Sequence, residues 1–187
     1  MSFLTRALIP GLHLLVFPEA DNFTKDADNL TVSATPASRT AKPGSQDSGW
    51  IDIGVIEEGD IQVEASDIEI FAPKPGKLVL WDELTTKEKL TGSATLKEVS
   101  PYALEVLFRS ARLTAASTQF NSLSGGKKRG WLQVQVYDDQ DDQILVKNIW
   151  ASLKIAGAVP LGGAKLMELK LEFKQLYSTL NTSTLVS

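Results

Sequence analysis

The chain has 187 residues, enough for one domain with a sizeable core, and its 43% apolar and 22% charged content is that of a folded protein. A net charge of −4 argues against an independent duplex-DNA binder, which would carry a basic face. The absence of cysteine excludes disulfides, thiol catalysis and thiolate metal sites.

No apolar run reaches the roughly 18 residues that a membrane span needs. Residues 7–17 look like the core of a signal peptide, but Pro10 and Gly11 interrupt them, only Arg6 precedes them, and no small-x-small site follows. A buried strand fits better, because Leu12, Leu14 and Val16 alternate with His13, Leu15 and Phe17. Residues 18–49 then turn polar, with Pro18, Pro36 and Pro43 and only a weak strand candidate at Leu30 to Ser33. A loop this long in a compact domain is either disordered or in contact with something else, so it is an interaction candidate.

From Trp50 onward the pattern is mainly that of strands. Ile51, Ile53 and Val55 share a face, Glu57 to Asp60 turns, Ile61, Val63 and Ala65 follow at period two, and Asp67 to Ile70 alternates sharply. Pro73 to Gly76 is a turn by composition, and Lys77 to Trp81 and Leu90 to Val99 supply two further strands. Ser100 is a good N-cap, Pro101 suits the first helical position, and Val99 and Leu104 stand at the places of a hydrophobic staple. Leu104, Leu107, Phe108 and Ala111 follow helical spacing, which predicts one amphipathic helix over about 100–112. After a polar loop at 117–130, Trp131 to Tyr137 and Ile144 to Ile155 form a hairpin around an Asp-rich turn. The last strand, Lys165 to Lys174, turns Met167, Leu169, Leu171 and Phe173 inward. The Ser/Thr-rich residues 178–187 are expected to be a flexible arm.

Chemistry-bearing patterns are weak. His13 is the only histidine and has no sequence-local serine or carboxylate, so a strand residue that is hydrogen-bonded or faces a partner is favoured over a triad or metal site. Asp138, Asp139, Asp141 and Asp142 invite calcium, yet the EF-hand places for glycine and glutamate hold Gln143 and Ile149. Gly125 to Gly130 lacks the Ser or Thr of a phosphate loop and reads as a surface loop with a basic tip. Glu57, Glu58 and Asp60 are taken as solubilising charges rather than an acid/base pair. Trp50, Trp81, Trp131 and Trp150 point to core or interface packing more than to sugar stacking. A hydrolase is therefore hard to build from this chain.

The order of the pieces carries more than any motif. An apolar strand and a long polar loop lead into Trp50-Ile-Asp-Ile-Gly-Val-Ile-Glu-Glu-Gly-Asp-Ile61, then Thr91-Gly-Ser-Ala-Thr-Leu-Lys-Glu-Val99 runs straight into the helix, and a hairpin and closing strands follow. This arrangement resembles the major tail-tube proteins of long-tailed bacteriophages and phage-like particles. The resemblance spans about residues 8–177 and rests mostly on the spacing of Trp50, Gly54 and Gly59 and on the strand-into-helix junction.

The resemblance implies a mainly β, antiparallel sandwich or half-barrel with one flanking helix, forming a single domain over 1–187. It further implies a non-enzymatic virion protein without catalytic, metal or cofactor sites and without membrane insertion. Such a protein would be assembled in the host cytoplasm into rings of six that stack as a hollow tube through which DNA passes without specific binding. Tape-measure, tail-terminator and baseplate proteins are the expected partners. Contacts between copies are expected in protruding segments, at Asn29, Leu30, Pro36 and Pro43, at Phe71, Pro73, Lys74 and Pro75, and at Tyr177 and Leu180. Asp67, Glu69, Glu168 and Glu172 are the candidate lumen-facing acids, by alternation. The competing expectation is a carbohydrate- or receptor-binding β-sandwich from a phage accessory or adhesin protein, using tryptophans and loop acids.

Overall fold

The computed structural model describes residues 11–19, 37–44, 49–97, 100–109, 128–138, 140, 142–157 and 168–185. In chain order the elements are β1 (Gly11–Pro18), β2 (Ile51–Asp52), β3 (Ile56–Lys74), β4 (Lys77–Leu96), α1 (Pro101–Phe108), β5 (Lys128–Tyr137), β6 (Gln143–Ala156), β7 (Leu169–Gln175) and β8 (Thr182–Leu185). They form one antiparallel sheet in the order β2-β1-β5-β6-β7-β4-β3, with β8 paired to β6 beside the end of β7. The sheet curls until its ends approach each other, with the side chain of Leu12 in β1 resting on Gly59 in β3, but the ends do not join in a ladder. The expected mainly β class therefore stands, as one curved sheet and not as a closed barrel.

Strict alternation builds the core. Leu14 faces Val134, Val16 faces Leu132, and Leu132 faces Ile149; across the sheet, Leu153 faces Phe173, and Leu171 lies between Ile155 and Ala94. Opposed residues share a face of the sheet, so these side chains meet as one cluster on the concave side. Gly92 is needed there, because a Cβ on it would collide with the ring of Phe173 and the carbonyl of Asp60.

The helix N-cap matches the sequence; the helix ends at Phe108 rather than near 112, and its phase differs. Ser100 Oγ accepts the Ala103 amide at 3.1 Å, proline starts the helix, and Arg109 closes it in the left-handed region at φ 50°. Buried beneath it are Tyr102, Ala103, Glu105 and Val106, whereas Leu104 and Leu107 are half-buried and Phe108 is exposed. Five of the seven side chains from Tyr102 to Phe108 are large and apolar, so two phases satisfy the spacing, and packing on β6 selects the second. Ala111 and the staple residue Val99 lie outside the described residues.

Two further expectations are corrected. The strand expected at Trp50 to Ile56 is only two residues long, because Gly54 takes φ 117°; Ile53 is buried and Val55 is exposed. The turn expected at Glu57 to Asp60 and the break expected between Trp81 and Leu90 do not exist, since β3 and β4 run unbroken for 19 and 20 residues. Bulges, not turns, absorb the irregularities, with register shifts at Ile56/Glu58, Ser66/Asp67 and Ile70/Phe71.

Candidate functional site

The convex face carries a second apolar cluster at one end. Trp131 and Trp150 lie opposite each other with ring centroids 5.7 Å apart, and Phe17 meets Trp50 edge-on at 5.6 Å. The Trp131 indole donates to the carbonyls of Ser38 and Ala41 at 2.9 and 3.0 Å, the Trp50 indole to that of Gly44 at 2.8 Å, and Ser178 Oγ to that of Arg39 at 2.7 Å. Residues 37–44 of the polar loop are thus fastened to the chain's own body. Pro43, expected at a contact between copies, is instead buried there because the indoles supply the donors that an irregular backbone needs. Asn29, Leu30 and Pro36 lie outside the described residues.

Beside this cluster His13 bridges two strands. Nε2 lies 2.9 Å from an oxygen of Asp52 and Nδ1 lies 2.9 Å from Oε1 of Gln135, within a chain that continues through Gln133 to Asn148. Burial opposes charging of the imidazole, but the bonds to Asp52 and Gln135 outweigh it and raise its pKa; Asp52 is lowered, with burial outweighed by the bonds from His13 and the Gly54 amide. No nucleophile joins this pair among the described residues. It clamps β2 and β1 together and has the geometry of a structural bridge. The Asp-rich turn is similarly structural, with buried Asp138 accepting the amides of Gln140 and Asp142 at 2.8 and 2.9 Å.

A third polar group sits under the helix. Burial pushes the Tyr102 hydroxyl upward, reinforced by the Glu105 carboxylate, and it lowers the Lys128 ammonium, with Glu105 pulling the other way. Lys128, expected in a surface loop, is buried at the start of β5. Among the described residues no group of three or more His, Asp or Glu is placed to hold a metal ion, and no helix is long and apolar enough to cross a membrane.

The most unusual surface is the β3–β4 ribbon. The last β4 residue paired to β7 is Thr91, opposite Gln62 of β3. Beyond that row Val63–Lys74 and Lys77–Leu90 pair only with each other, and at about 3.3 Å per residue they project about 40 Å from the body. Ile68, Ile70, Phe71, Leu78, Leu80, Trp81 and Leu84 are all exposed along it. Trp81, at 74% exposure, is the extra residue of the bulge between Ile70 and Phe71. Phe71, Pro73, Lys74 and Pro75 stand exposed at its tip, and Tyr177 and Leu180 are exposed after β7. Tail residues 182–185, expected to be a mobile arm, form β8 on β6.

Register sorts the ribbon into two faces. One carries Val63 and Leu90, then Asp67, Glu69, Glu83 and Glu88, then Phe71, Leu80 and Leu78 at the tip. The other carries Glu64 bound to Lys89 at 2.9 Å, then Ile68, Ile70 and Leu84, then Val79. The apolar side therefore changes over along the ribbon; near the tip one face carries Phe71, Leu80 and Leu78 and the other Val79, closed by Lys74 and Lys77. Alternation in the sequence picked out Asp67 and Glu69; Glu83 and Glu88 were missed because their place on the same face follows from the register. Glu168 and Glu172, the other candidate lumen acids, are held by Lys97 at 2.9 Å and Lys154 at 2.7 Å. Lys97 also binds Glu57 at 2.8 Å.

Next to the ribbon's base, β3, β4, β7, β6 and the end of α1 line a cleft of about 540 Å³. Among the described residues its cations are Lys89, Arg109, Lys128, Lys154, Lys170 and Lys174, and its carboxylates are Asp60 and Glu172. This is a marked local reversal in a chain of net charge −4.

No family model matches the chain, and no curated protein matches it. Among solved structures, a chain of the anti-feeding prophage baseplate, determined by cryo-electron microscopy with six-fold symmetry, is 11% identical at a TM-score of 0.43, the match covering 98% of this chain and 97% of that one. A chain from the tail of an empty GTA particle, from helical refinement with C6 symmetry, is 10% identical at a TM-score of 0.41, covering 75% of this chain and 88% of that one. Scores of this size leave the role of the chain to its own surfaces.

Proposed function

We propose that the chain is a structural subunit that packs against copies of itself, as the major tail-tube proteins it resembles do, forming rings that stack into a hollow tail tube for phage DNA. The observation that carries this reading is the ribbon. A two-stranded hairpin is marginal by itself in water, and this one exposes large apolar side chains on alternating faces far from its own core. The face change means that no single surface can cover it, so its middle and its tip bury against more than one neighbour. Contacts between unlike patches on identical copies close into a ring when the rotation closes and otherwise continue as a filament. Six copies per ring, a virion location assembled in the host cytoplasm, and capping by tape-measure, tail-terminator and baseplate proteins complete the reading.

Negative-stain microscopy and sedimentation of the purified chain test it. Rings or tubes of uniform bore are expected, and Phe71→Ser with Leu80→Ser should abolish them while leaving the fold intact. Dispersed monomers at high concentration would overturn the reading, and glycan affinity in such monomers would favour a carbohydrate-binding module.

A further inference from the structure

We propose that the acidic strip of one copy's ribbon docks in the lysine-lined cleft of a second copy. The inference rests on the self-assembly reading and names the surfaces that join. Asp67, Glu69, Glu83 and Glu88 share one ribbon face, and none has an ion-pair partner among the described residues. Glu69 and Glu83 stand directly opposite each other, a like-charge pairing that destabilises a sheet unless a cation faces it.

The cleft supplies what the strip lacks. Adjacent strands set Lys174 beside Thr91 and Ser152, Lys170 beside Thr95 and Ala156, and Lys154 beside Glu172. Local carboxylates already hold two of these cations, Lys89 through Glu64 and Lys154 through Glu172. Asp60, the other acid of the cleft, is engaged by the Ser93 amide at 2.6 Å. Lys170, Lys174 and Arg109 have no carboxylate partner among the described residues and line the cleft together. A copy cannot bring Glu69 and Glu83 to its own cleft, because Gln62 at the ribbon base lines that cleft and Glu69 lies seven residues further out, roughly 20 Å along a stiff pair of strands. Complementary patches that cannot meet within one molecule meet between molecules, head to tail. A docked strip leaves Asp67 and Glu69 against lysines rather than open to a bore.

Carbodiimide cross-linking of an equal mixture of ¹⁴N- and ¹⁵N-labelled chains tests the contact. The expected result is mixed-label peptides joining Lys170 or Lys174 to Glu69 or Glu83. Lys170→Glu with Lys174→Glu, and separately Glu69→Lys with Glu83→Lys, should each weaken association by at least about tenfold, and the chain carrying all four should recover it. Tubes that form without mixed-label links, or charge-reversed chains that assemble like the parent, would overturn the docking while the tube reading stands. Mixed-label links in small oligomers that never become tubes would support the docking and sink the tube. Tight binding of a DNA oligonucleotide that Lys170→Glu with Lys174→Glu removes, with no links formed, would give the cleft to nucleic acid instead.

Discussion

The body and the ribbon are made by the same two strands, β3 and β4, yet they obey different rules. Between Thr91 and Leu96 every second β4 residue is buried against β7 and the core; a few residues earlier, the apolar side chains of Trp81 and Leu84 stand in solvent. There, alternation is enforced by the core on one side. In the ribbon the apolar side changes at the bulges and no core of its own covers it, as the proposed packing between copies requires. Period-two patterning thus reports where a strand is buried, and a break in its phase marks where the chain's own core stops enforcing it.

The comparison can be broken most easily in the body. Leu171→Ala removes a fully buried side chain between Ile155 and Ala94, and urea denaturation should show a loss of about 2–5 kcal/mol; a loss under 1 kcal/mol would mean that the core is misassigned. Gly92→Ala should cost about 1–3 kcal/mol, because Phe173 and the Asp60 carbonyl already occupy the space. Gly76→Ala at the ribbon turn meets no atoms and carries only the strain of φ 79°, so its effect should be smaller, on the order of 1 kcal/mol.

The His13 clamp has a predictable pH signature. Its pKa is raised in the folded chain, so its contribution is complete below the unfolded value of 6.5 and is lost as pH rises through the folded value. Asp52 is lowered, so its contribution holds above 3.8 and is lost as pH falls through its folded value. The pair therefore supports β2 best between these limits. Thermal melts should show His13→Gln costing more at pH 5.5 than at pH 8.5; equal losses at both would refute the clamp. The smallest expected change is in the ribbon, where Phe71→Ser with Leu80→Ser should shift the unfolding free energy of the unassembled chain by no more than about 0.5 kcal/mol while removing assembly. A large shift would show that the ribbon belongs to the body after all.

Much of the body was legible from its residues. Leu169 to Phe173 alternates cleanly because one face is wet, Leu132 to Val136 because apolar core positions alternate with the hydrogen-bonded Gln133 and Gln135, and Ser100-Pro101 announces a helix start because the cap and the first-turn proline are local chemistry. The ribbon was not. Glu57-Glu58-Gly59-Asp60 has the composition of a turn, and Asp82 to Lys89 has no apolar period, yet cross-strand backbone bonds carry both as strand. The helix phase was hidden by its uniformly apolar sequence. Two tryptophans became core and one became the most exposed residue of a bulge, a difference set by register and invisible to composition. The cleft joins residues from β3 to β7, so neither its basic character nor its nearness to the ribbon could be read from a chain whose total charge is negative.

If the ribbon packs between copies as proposed, its bulges also bear on the chain before assembly. A straight two-stranded arm with open edges and rows of Ile, Leu and Phe is a template for runaway stacking of newly made chains. Kinks at Ser66/Asp67 and Ile70/Phe71, with charges set between the apolar rows, bend and decorate those edges so that a stray strand finds poor footing. The same irregularities that obscured the ribbon in the sequence would thus act as gatekeepers, keeping a sticky arm soluble until it is covered.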